Sequence, residues 1–64
     1  MSNQTETKIE ELLQDLGSEE AYRRERAAIR LANLKVLDER VISALKIMAA
    51  QDPNEYVRLV VRTQ

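Results

Sequence analysis

The segment Asp52-Pro53-Asn54-Glu55-Tyr56-Val57-Arg58 constrains this chain more than any other, because it closes one apolar helical stretch and opens another within a few residues. Asp52 can cap, Pro53 suits the first helical position, Glu55 stands three residues after the cap, and Val57-Arg58 begins the next helix. The segment has an echo. Tyr56 and Arg58 follow Tyr22 and Arg24 by 34 residues (58 − 24), and the helix starters Asp52 and Ser18 share that offset. A period in this range is the signature of stacked helical units, each burying its apolar face against the next.

The 64 residues make one domain, 1–64, with residues 1–6 read as a frayed N-terminus. A chain this short buries only about 60% of its unfolded surface, so a partner surface is expected to help stabilise it. With no Cys and no His there is no disulfide, no thiolate or imidazole to hold a metal, and no cofactor is expected. One Gly, one Pro and two Tyr against abundant Ala, Leu, Glu, Arg and Lys predict an all-α fold. No apolar run approaches the ~20 residues of a membrane span, and the polar Met1-Ser2-Asn3-Gln4-Thr5 is no signal peptide, which leaves a soluble cytoplasmic protein as the default.

The near-neutral charge hides an asymmetry. Residues 1–20 carry six acids against Lys8 alone, a balance of −5, while the remainder carries nine Lys or Arg against five acids, a balance of +4. The two parts are expected to pair, within one chain or between two copies, or else to solvate exposed helix faces.

Four helices are expected, packed as short antiparallel hairpins. Thr7 can cap the first, with Glu10 reaching back, and Ile9, Leu12, Leu13 and Leu16 form one narrow apolar stripe. Gly17 is a left-handed terminator, and Ser18 opens a second helix running to Val36. On that helix Arg23, Arg26, Arg30 and Asn33 gather into a polar stripe, while most of the remaining circumference is apolar, as in a helix sandwiched between neighbours. Asp38 caps a third helix whose Val41, Ile42, Ala44, Leu45, Ile47, Met48 and Ala49 cover more than half its wheel. The last helix, from Pro53, places Tyr56, Val57, Leu59, Val60 and Val61 on one broad side.

On these residues the chain resembles a HEAT-like repeat, particularly the short form of phycobilin-lyase-type repeat proteins. Asp52-Pro53 with Val57-Arg58, and Arg24, Ala27, Ala28, Leu31 and Leu34 before them, carry the resemblance over residues 18–62. The family sets an Asp at the turn and an Arg in the following helix so that polar ladders link successive units; the resemblance assigns that role to Asp52, Arg58 and Arg24. Ser18 replaces the Asp and Arg23 the Val in the first unit, and Ile9, Leu12 and Leu16 echo Ile42, Leu45 and Ala49 as a preceding helix. A tetratricopeptide repeat shares the 34-residue period but wants small residues where Ile29 and Val41 stand. An unrelated four-helix assembly is the third reading.

The chemistry points away from catalysis. Thr7 and Ser18 read as caps, and adjacent acids such as Glu10-Glu11 point about 100° apart on a helix and do not converge. What remains are surfaces. Arg23, Arg26 and Arg30 align three guanidiniums able to take carboxylates or phosphates, although an acidic pI and few aromatics make nucleic acid the weaker choice. Ile47, Tyr56, Leu59, Val60 and Val61 form the expected self-association face, which a two-fold homodimer would cover. The function implied is a non-catalytic protein-interaction module or small scaffold with an unidentified protein partner. The alternative implied by the resemblance is an accessory subunit holding a chromophore-carrying protein, and a piece of a longer repeat protein is the rival to the dimer.

Overall fold

A computed structural model describes residues 3–34 and 38–64, and among them every regular element is helical. Helix α1 spans Asn3–Asp15, α2 Ala21–Leu34, α3 Glu39–Gln51 and α4 Glu55–Arg62. The chain is all-α, as its composition requires. Helices α1 and α2 form one hairpin and α3 and α4 a second, and the two stack so that α3 packs on α1 and α4 on α2. The result is a slab of 38 × 20 × 15 Å.

Two apolar clusters hold the layers together. Ile9 and Leu12 of α1, Ala27 and Leu31 of α2 and Val41 of α3 make the first. Ala28 of α2, Met48 of α3 and Val57 and Val61 of α4 make the second. Helix α2 feeds both, because Ala27 and Ala28 lie about 100° apart and turn toward different neighbours. Their lack of bulk lets α1 and α4 approach α2 closely. Leu31 and Val57 are the largest fully buried side chains, each stabilising the fold by about 1.5–3 kcal/mol through burial.

The helix ends differ from the sequence reading in four places. Helix α1 is already formed at Asn3, so Thr7 lies inside it rather than capping it. Glu6 gives a reason: its carboxylate pairs with Arg40 of α3 at 2.9 Å, tying the first turns of two helices together. Gly17 has no left-handed backbone; α1 closes on tight turns in which Gly17 N–H donates to Gln14 C=O and Ser18 N–H to Asp15 C=O. Helix α2 starts at Ala21 and not at Ser18, whose hydroxyl instead accepts the Glu20 N–H at 3.1 Å. Its expected far end, Val36, lies outside the described residues.

The fourth difference is at the second turn. Asp52 does not cap α4. It ends α3 with φ −57 and ψ 136, the extended backbone that a residue before proline prefers, and its N–H still donates to Met48 C=O. Asn54 is the N-cap of α4, accepting the Val57 N–H at 3.1 Å, so Pro53 precedes the helix instead of opening it. Asp38 does cap α3, accepting the Arg40 N–H at 2.9 Å.

Candidate functional site

The three residues marked as a polar ladder meet at the second turn. Arg24 of α2 grips the Asp52 carboxylate with Nε at 2.8 Å and Nη2 at 3.2 Å, a two-pronged contact between the hairpins. Both side chains are withdrawn from water, with 12% and 4% of their surface exposed. The Asn54 N–H adds a third bond to that carboxylate at 3.0 Å, and Arg58 donates to the Asp52 carbonyl. Burial pushes the Asp52 carboxyl up, but the hydrogen bonds from Arg24 and Asn54, together with the Arg24 and Arg58 charges, hold it below the ordinary carboxylate value. Among the described residues no buried side-chain nitrogen or oxygen lacks a partner.

The same bonds recur one period earlier. Arg24 Nη1 donates to Ser18 C=O at 2.8 Å as Arg58 donates to Asp52 C=O, and Glu20 N–H meets Ser18 Oγ as Asn54 N–H meets Asp52 Oδ2. Helices α2 and α4 both begin three residues after Ser18 and Asp52 respectively (21 − 18 and 55 − 52). Tyr22 and Tyr56 are both exposed, and Ala27 and Val61 both buried, at the same 34-residue offset. The first helices follow another offset. Val41 and Met48 are buried in α3, with Leu45 and Ala49 half-buried against the core, whereas Ile42 is exposed, so burial at Val41, Leu45 and Met48 follows Ile9, Leu13 and Leu16 by 32 residues (41 − 9).

The repeat breaks where Val57 and Arg23 correspond. Val57 is 1% exposed against α2, whereas Arg23 lies on the open side of α2. There Arg23, Arg26 and Arg30 line one groove of about 320 Å³ with Leu12, Asp15, Tyr22 and Ala27. The three arginines are not equivalent. Arg23 Nε donates to Glu20 Oε1 at 2.9 Å and its guanidinium lies 6.0 Å from the Tyr22 ring centroid; Tyr22 first, then Glu20, raises its pKa. Arg26 and Arg30 pair with no described carboxylate.

The expected self-association residues do not form one patch. Tyr56 and Leu59 are exposed on α4 and Val60 half-buried beside them, but Val61 is 7% exposed and belongs to the second core cluster. The broad apolar arc of α4 is therefore shared between core and surface, which hydropathy alone does not separate. Ile47 lines a different groove, of about 420 Å³, with Leu16, Gly17, Ala44 and Met48, where α1 ends short of α3. Ile42, about 140° around α3 from Ile47, lines a third groove of about 310 Å³ with Ala32, Leu45, Ala49 and Val61. From sequence Ile42 is expected to be the α3 counterpart of buried Ile9, whereas the structure leaves Ile42 exposed to this groove.

Of the acids in residues 1–20, Glu6 pairs with Arg40 and Glu20 with Arg23, so the two charge blocks touch within the chain at both contacts, across two helices at the first and within one turn at the second. Asp38 also pairs with Arg40 at 2.8 Å, and that hydrogen bonding holds its carboxyl at about 2 and raises the Arg40 guanidinium. Among the described residues no cluster of His, Cys, Asp or Glu could hold a metal ion, and no helix is long and apolar enough to cross a membrane. No family model, curated protein or solved structure matches the chain.

Proposed function

We propose that this chain is a HEAT-like, non-catalytic protein-interaction module of the cytoplasm, a small scaffold that works as a homodimer through its α4 face. One observation carries the reading. The paired bonds at Ser18/Arg24 and Asp52/Arg58 make two hairpins of one design, stacked in register, and such units gain stability by adding a neighbour to an open end. The two ends of this stack differ. Along α1 and α2 the edge is charged, like the polar outer face of a capping unit, while α4 presents Tyr56 and Leu59, each more than half exposed, with Val60 on the other side of Tyr56 from Leu59 on the helix wheel. A second copy seated on that ridge would remove it from water and supply the core that a short chain lacks.

Sedimentation of Leu59→Asp tests this reading. Leu59 is 56% exposed and outside both core clusters, so the variant keeps its helicity, while a carboxylate in an apolar contact dissociates the dimer. A parent chain that sediments as a monomer at micromolar concentration, or a variant of unchanged dimer mass, defeats it.

A further inference from the structure

We propose that the α1/α2 groove is a docking site for an acidic helix of a partner protein, one carrying two carboxylates four residues apart. The inference rests on reading the chain as an interaction module, and it names the chemistry of what the arginine edge would take. Of the three guanidiniums there, Arg23 is already occupied by Glu20 and Tyr22 and serves as a wall. Arg26 and Arg30 have no described carboxylate partner, and their spacing of four residues sets them about 6 Å apart along α2. Carboxylates at i and i+4 of a partner helix have that same separation, so both pairs form in one register and a bidentate fork is available to each.

The groove is not a general anion site. The Asp15 carboxylate stands in its wall and Glu11 is exposed one turn earlier on α1, so a continuous phosphate backbone would run against negative charge. Single carboxylates placed over Arg26 and Arg30 avoid that contact. Leu12 and Ala27 make the floor apolar, which suits an aliphatic residue between the two acids and gives the helix a defined face.

Isothermal titration of the full chain with three synthetic, end-capped, alanine-based helical peptides tests the proposal. The first carries Glu at i and i+4 with Leu at i+1, the second has both Glu replaced by Gln, and the third keeps two Glu but at i and i+2. The first binds at least about tenfold more tightly than either other, the factor expected for loss of one charge-assisted contact. Arg26→Gln with Arg30→Gln erases the difference while the dimer mass stays unchanged. Equal binding of the i,i+4 and i,i+2 peptides to the unmodified protein overturns the proposal whatever the variant does. So does displacement of the first peptide by inorganic phosphate at matched concentration, which would make the groove a phosphate site. Dissociation of the dimer in a still helical double variant overturns it too, since the groove would then be filled by a second copy; a parent chain that is monomeric yet discriminates the peptides would sink the dimer alone.

Discussion

Replacing Asp52 by Asn leaves the shape of the second turn almost unchanged and removes its charge. In the parent chain the carboxylate accepts three hydrogen bonds, two from Arg24 and one from the Asn54 N–H. An amide offers one oxygen for these donors and turns its own NH2 toward another donor. Breaking one partner of a buried pair costs about 3–5 kcal/mol, mostly because the other charge stays buried and unpaired. Arg24 keeps its bond to Ser18 C=O and a little exposure, so the lower end, about 3 kcal/mol, is expected here. A domain of this length has only about 3–10 kcal/mol in total. Thermal melting followed by circular dichroism at fixed protein concentration should therefore fall by about 12–24 °C, taking about 4–8 °C per kcal/mol for a small domain. Glu20→Gln is the control, since the Arg23–Glu20 pair lies with both side chains more than half exposed, and its melting point should not move. Adding Arg24→Leu to Asp52→Asn should recover part of the loss by removing the stranded guanidinium. If Asp52→Asn melts within a few degrees of the parent, the clamp does not hold the hairpins together and the reasoning from burial fails.

The acid response follows from the same groups: Asp38 is lowered from 3.8 to about 2 and Asp52 is lowered as well, so their contribution is complete above the unfolded value and disappears as pH falls through the folded one. Helicity should thus survive to pH 3.8 and decline between there and about 2; complete loss above that window would show other groups in control. Val57→Ala removes a side chain buried between α2 and α3, and a destabilisation of about 1.5–3 kcal/mol in urea titration is expected, against no measurable change if that contact is loosely packed.

Helix propensity and the scarcity of Gly and Pro were enough to read an all-α chain, and the resemblance to a HEAT-like repeat grouped Arg24, Asp52 and Arg58 before any contact between them was visible. What failed were local rules overruled by tertiary contacts. Thr7 has the side chain of a cap, yet Glu6 is held by Arg40 from another helix and the α-helix continues through it. Asp52 has it too, but Arg24 claims its carboxylate, and the capping falls to Asn54 two residues on. The apolar arcs of α3 and α4 were each wider than one contact, so periodicity could not say that Val61 turns inward or that Ile42 and Ile47 open onto different grooves. Likewise, a charge count aligned three arginines without showing that Arg23 was already spent on Glu20 and Tyr22.

The difference between Ser18 and Asp52 follows from what lies beside each turn. Both carbonyls receive the arginine six residues on, and both side chains receive the N–H two residues on, so the local turn needs only an acceptor that a hydroxyl can supply as well as a carboxylate. The extra oxygen of Asp52 is used by Arg24, which comes from the neighbouring hairpin. Among the described residues no helix occupies the corresponding place beside Ser18; that side of α2 is the groove of Arg23, Arg26 and Arg30. A carboxylate there would gain no inter-hairpin clamp. The aspartate is thus required by stacking and not by turning, which makes Ser18→Asp close to neutral in this chain while Asp52→Ser should cost nearly as much as Asp52→Asn. Equal and large losses for both would mean that the turn itself, and not the contact between hairpins, sets the demand.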